Sequence, residues 1–233
     1  MRGFESRSAL FTYRRYAREC AVMALHTAES SGLSIEGALR QVFELFESED
    51  VQEEIFRERP EETEAPVSEA NVRELFEQFA AKLARGVWQD KAAIDAQIAQ
   101  RTPAYDYSRL APVDRNVLRV AMWEMWNVPY VPPAVTLNEA VEIAKKYSTA
   151  ESGKFVNGVL GALLRESPKA SWNPQNAPPD PELPKLEEVF RTQAPQIEVE
   201  VVEEGTDEAI EAKRFGIWKL RAGDQEIPPL TEP

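Results

Sequence analysis

The chain has 233 residues, a formal net charge of -13, one cysteine and one histidine. Single copies of Cys20 and His26 exclude an internal disulfide framework and a multi-histidine metal site, and no apolar run approaches the roughly 20 residues that a membrane-crossing helix needs. The opening MRGFESRSALFTYRR lacks the apolar stretch of a signal peptide, so a cytoplasmic protein is expected.

The negative charge is unevenly spread. Between Met1 and His26 five arginines face two glutamates, whereas beyond Arg165 seven basic residues face fifteen acidic ones. The first predicted helix covers residues 13–28, with Ala17, Cys20, Ala21, Ala24, Leu25 and Ala28 as its apolar stripe. A stripe of such small residues suits close approach to neighbouring helices. Ser30, Ser31 and Gly32 end it, and Ser34 caps a second helix that buries Ala38, Leu39, Val42, Phe43, Leu45 and Phe46.

Residues 47–66 are acidic, carry two prolines and lack periodicity, which reads as a mobile insertion. Helical spacing resumes at Ser68 and runs through Val72, Leu75, Phe79, Leu83 and Val87 to Ile94 and Ile98, with a kink expected near Gly86 or Asp90 and a stop at Pro103. Pro112 opens the next helix, which buries Val117, Leu118, Ala121, Met122 and Met125 and ends before Pro129.

The stretch VTLNEAVEIAKKYSTAESGKFVNGVLGALLR, residues 135–165, reads as two amphipathic helices turning back on each other. Capping boxes at Thr136 with Glu139 and at Ser148 with Glu151 mark the two starts. Asn157 and Gly158 interrupt the second apolar face, and a helix-interior glycine costs roughly 1 kcal/mol, so something should require a small residue there. Close helix packing explains it more readily than a ligand contact. Beyond Arg165 six prolines fall within residues 168–184 of a polar, acidic extension. Residues 166–233 are therefore expected to be largely disordered or weakly docked, with a candidate β-hairpin formed by residues 197–202 and 215–220.

Catalysis has little to stand on: there is no Gly-rich phosphate loop and no GxSxG motif, and Cys20 lies on an apolar stripe with nothing electropositive beside it. No enzyme activity, cofactor, metal or small-molecule substrate is expected. Arg14, Arg15 and Arg18, at i, i+1 and i+4, span about 100° of helix and could grip phosphates, with Arg7 in a preceding arm and Tyr13 and Tyr16 as stacking surfaces for bases. Three solvated arginines at a helix start are the commoner alternative, although cations there oppose the helix dipole.

RRYARECAVMALH at residues 14–26, VDRNVLRVAMWEM at 113–125, and VPPAVTLNEAVEIAKKY followed by FVNGVL resemble, in that order, the NusB family of bacterial transcription antitermination factors. The resemblance implies an all-α fold, a pair of small helical bundles sharing a core over residues 1–165, and no catalysis. It implies binding to boxA-type single-stranded RNA of nascent ribosomal transcripts, together with the ribosomal small-subunit protein NusE and the RNA polymerase antitermination complex. Residue by residue, it assigns Arg14, Arg15 and Arg18 to RNA phosphates. Glu151, Ser152, Lys154 and Phe155 become a second part of the RNA surface, and Asp114 and His26 the face toward NusE. Phe155 also begins an apolar stripe and is equally a core candidate. Two rivals are an RNA-binding domain related to ribosomal RNA cytosine methyltransferases, which would need a catalytic domain absent after Arg165, and an acidic scaffold that binds no RNA.

Overall fold

A computed structural model describes residues 2–46, 69–103 and 107–181; the acidic insertion at 47–66 and the candidate strands lie outside the described residues. Among these, six α-helices form: α1 (Arg2–Ser31), α2 (Ile35–Phe46), α3 (Glu69–Arg101), α4 (Pro112–Asn127), α5 (Pro133–Tyr147) and α6 (Ala150–Glu166). Helices α1, α2 and α3 pack on one another, as do α4, α5 and α6, and α4 joins the two sets by lying against both α1 and α3. A single core runs through both sets, and Leu25, Phe79, Leu83, Leu118, Met125 and Leu160 are fully buried in it. Cys20 sits in that core with no exposed surface, and burial pushes its thiol well above the usual range.

Most helix ends follow the chemistry of the sequence. Gly32, at φ 71°, takes the left-handed position after α1 and donates its N–H to the Ala28 carbonyl. The Ser34 hydroxyl accepts from Gly37 N–H at 3.2 Å and caps α2, and Pro112 occupies the first turn of α4, where a missing N–H costs nothing.

Other expectations are corrected. Helix α1 starts at Arg2, so Arg7 lies on a helix and not in an arm. Pro133 opens α5 ahead of Thr136, whose buried hydroxyl finds no hydrogen-bond partner among the described residues, and Glu139 is engaged elsewhere. The α6 cap is Thr149, one residue later than expected, with its hydroxyl accepting from Ser152 N–H. Leu45 is exposed. Helix α3 runs unbroken through Gly86, where the Trp123 ring fills the space a side chain would take: a Cβ there would lie 2.1 Å from the ring. Gly158 is the reverse case, exposed and with nothing within 4 Å of a Cβ, so helix packing is not what it serves.

A polar network ties α1 to α3 and α4. Arg119 donates to both oxygens of Asp95, at 2.6 and 2.7 Å, and to Glu29 and the Asn116 side-chain carbonyl, each at 2.8 Å. Lys91 and Asn116 complete the shell around Glu29, and Tyr107 donates to Asp95. Burial works to raise the Glu29 carboxyl, but hydrogen bonds from Lys91, Asn116 and Arg119 outweigh it and hold it at about 2 instead of 4.5.

Because Glu29 is depressed in the folded state, its contribution is complete above about pH 4.5 and lost as the pH falls toward 2. Urea unfolding of Glu29→Gln across that range should show a flatter acid limb than the parent. The glycines separate under the same assay: Gly86→Ala should cost ~1–3 kcal/mol through overpacking against Trp123, whereas Gly158→Ala should add ~0.5–1 kcal/mol.

Candidate nucleic-acid interface

The three arginines of α1 do not form one exposed sector. Residues at i and i+4 are only about 40° apart on a helix, so Arg14 and Arg18 share the inward side while Arg15 faces out. Arg18 is 3% exposed and its guanidinium grips Glu124 of α4, with Nε 3.0 and 3.1 Å from the two carboxylate oxygens and Nη2 2.8 Å from Oε1. Glu124 has no exposed surface, so Arg18 is a buried structural cation and the phosphate role expected of it is corrected. Arg15 keeps 46% of its side chain exposed and pairs through Nε and Nη2 with Glu139 on α5. Arg14 is nearly buried. Its guanidinium lies over Phe79 and Tyr130, at 4.9 and 5.1 Å from the ring centroids, and donates to both oxygens of Asp180, at 2.6 and 2.8 Å.

Asp180 belongs to a segment beyond the last helix. From Ser167 the chain runs back over the body, and Lys169 is buried with Nζ donating to the backbone carbonyls of Val131, at 2.7 Å, and Glu124, at 3.3 Å. Burial lowers the Lys169 ammonium to about 8, with Glu124 pulling it up and Arg18 pushing it further down. Trp172 Nε1 donates to the Pro129 carbonyl.

Other expected site residues divide the same way. Tyr16 is buried, with Lys146 5.9 Å above its ring, so it is not an open stacking surface. Ser152 is 8% exposed and its hydroxyl donates to Asp114 at 2.8 Å, with the Ser148 and Thr149 hydroxyls each 3.0 Å away. Asp114, at 7%, faces this hydroxyl cluster, and both residues join the start of α4 to the start of α6. Glu151 and Lys154 are exposed on α6, Phe155 is half-buried against the core, and His26 is exposed on α1. Arg7 lies in the part of α1 whose side chains are outside the described residues.

Lys145 and Lys146, in the last turn of α5, fall on the polar side of the helical pattern, yet both are engaged, Lys145 with Glu142 at 2.7 Å on its own helix. Lys146 bridges to α1, 3.2 Å from a Glu19 carboxylate oxygen to which Tyr147 also donates at 2.6 Å, and remains 40% exposed. Lys145 runs along Gly153 of α6, where a Cβ would sit 2.8 Å from its Cγ. Arg15 and Lys146 thus line the α1–α5 seam, and Lys145 lies where α5 meets α6, the helix that carries exposed Lys154. The paired lysines at a helix end are visible in the sequence, but the helix they lean on is not. Among the described residues no group of three or more His, Cys, Asp or Glu side chains is placed to hold a metal ion, and no helix is long and apolar enough to cross a membrane.

Two three-helix sets on one core, with α4 shared between them, define an all-helical domain of two small bundles. The chain belongs to the NusB family, whose model matches residues 15–165. It is 36% identical over 152 residues to the transcription antitermination protein NusB of Symbiobacterium thermophilum, covering 65% of this chain and 89% of that protein. Against NusB of Geotalea uraniireducens the identity is 34% over 150 residues, covering 64% and 92%. Among solved structures, T. maritima NusB aligns with a TM-score of 0.53 at 29% identity, over 68% of this chain and 96% of that one. The NusB chain crystallised with NusE and double-stranded RNA shares the fold, with a TM-score of 0.50 at 24% identity over 66% and 97%.

Neighbouring arginines should behave differently. Arg18→Ala strands the buried Glu124 carboxylate and should cost ~3–5 kcal/mol in urea unfolding, whereas Arg15→Ala removes an exposed pair and should cost no more than about 1 kcal/mol.

Proposed function

We propose that the chain is a non-catalytic, cytoplasmic RNA-binding antitermination factor that recognises boxA-type single-stranded RNA together with NusE. The observation that carries this reading is family membership over residues 15–165, with relatives named as transcription antitermination proteins. A NusB of the same fold crystallised with NusE and double-stranded RNA supports NusE and RNA as classes of partner. In this reading residues 1–165 are the binding domain and residues 166–233 an appended segment.

The surface supplies a physical route. Arg15, Lys145, Lys146 and Lys154 are exposed or half-exposed cations from three helices, a repeated positive charge that suits a chain of phosphates. Half-buried Phe155, next to Lys154, offers a ring edge for a base. Exposed His26 remains for the partner face, and inward-facing Asp114 acts there only through Ser152 and the start of α6.

Filter binding of a boxA-type RNA and a scrambled control, with and without NusE, tests the reading. Specific binding that tightens with NusE is expected, and equal retention of both RNAs in every condition would refute it. Within that assay Arg15→Ala combined with Lys146→Gln should weaken binding and lower the log–log salt slope by ~0.7 for each single-strand phosphate that the variant no longer neutralises. A slope identical to that of the parent would remove these two side chains from the interface.

A further inference from the structure

We infer that Arg14 is a phosphate subsite whose ligand position is filled, in the RNA-free protein, by the carboxylate of Asp180, so that residues 167–181 form a strap that competes with RNA. The inference rests on the RNA-binding reading above. It concerns a segment that begins past the end of the family match at residue 165.

The Arg14 guanidinium is held ready for a bidentate anion. Phe79 and Tyr130 pack on its faces, and Asp180 meets its edge with two donors at 2.6 and 2.8 Å. Two oxygens of a phosphodiester present the same fork to a guanidinium, which is why arginine binds carboxylates and phosphates alike. A cation this deeply placed is costly to leave unpaired, so Asp180 departs only as another anion arrives: the step is an exchange rather than a free opening. Lys82 lies beside the cradle, exposed, with Nζ 5.2 Å from the Tyr130 ring centroid and 3.2 Å from its hydroxyl. A second cation beside the filled fork suits a polyanion, which carries a further phosphate for it to meet.

The strap has a buried anchor and a charged tip. Its fixed end is Lys169, gripped by two backbone carbonyls, while Asp180 is eleven residues further along, flanked by Pro178, Pro179 and Pro181 that stiffen its approach. A half-open cavity of about 230 Å³, lined by Met125, Trp126, Trp172 and Asn176 among others, lies between this segment and the end of α4. A carboxylate tethered so close competes at an effective concentration in the millimolar range, enough to matter without tight binding.

The test uses the full chain and a boxA-type single-stranded RNA at low salt. Asp180→Asn should bind about three- to tenfold tighter than the parent and steepen the log–log salt slope by ~0.7, the signature of one more neutralised phosphate. In an Arg14→Gln background the same change should have no effect; an equal gain there would mark loss of general repulsion and overturn the occlusion. Trp172→Ala, which loosens the strap without touching a charge, should shift affinity in the same direction, and circular dichroism reports whether each variant is folded. Equal affinities of parent, Asp180→Asn and Trp172→Ala, with specific RNA binding intact, would overturn the strap and leave the RNA-binding reading standing. No specific RNA binding by any folded variant would overturn both.

Discussion

The buried ion pair between Arg18 and Glu124 fixes the rest of the molecule. Two unit charges with almost no solvent contact are tolerated only where they are paired, and here Arg18 Nε donates to both carboxylate oxygens of Glu124 with Nη2 2.8 Å from one of them. Hydrocarbon of similar volume could hold the two helices together, but it would not dictate which turn of α1 faces which turn of α4. With that register set, Arg14, one turn earlier, comes over the same Phe79 ring that Arg18 approaches at 5.7 Å. The backbone carbonyl of Glu124 then helps to receive Lys169, so the placement of the strap follows from the same contact.

Much of this is legible in the sequence. Helical periodicity locates the apolar stripes of the helices, and the small residues around Cys20 mark α1 as an interior helix. What periodicity misjudges is polarity. It assigns every arginine to water, and whether Arg18 faces in or out depends on Glu124, 106 residues away. Asp114 and Ser152 mislead for the same reason, since a carboxylate that accepts one buried hydroxyl looks in sequence like any surface acid. The two glycines show the limit from the other side. Gly86 and Gly158 look alike in the chain, yet only Gly86 meets a neighbouring ring, and a tertiary neighbour leaves no trace in local composition.

The charge distribution constrains how a nucleic acid could be met. The whole chain is strongly acidic, so a polyanion is repelled at long range, and at physiological ionic strength that repulsion fades beyond about 8 Å. The cations of the α1–α5 seam act inside that distance, and several are already paired with carboxylates, Arg15 with Glu139 and Lys146 with Glu19. A phosphate meeting Arg15 or Lys146 would have to replace the carboxylate already paired there.

Cys20 gives the body a built-in clock. It is the chain's single thiol, it has no exposed surface, and burial keeps it protonated and unreactive in the closed state. A disulfide reagent in solution therefore modifies only molecules in which α1 has separated from its neighbours. At saturating reagent the labelling rate equals the opening rate, and at low reagent it reports the open population. The stripe that allows close helix contact thereby makes the local unfolding of this domain countable one molecule at a time, by mass, without any engineered probe.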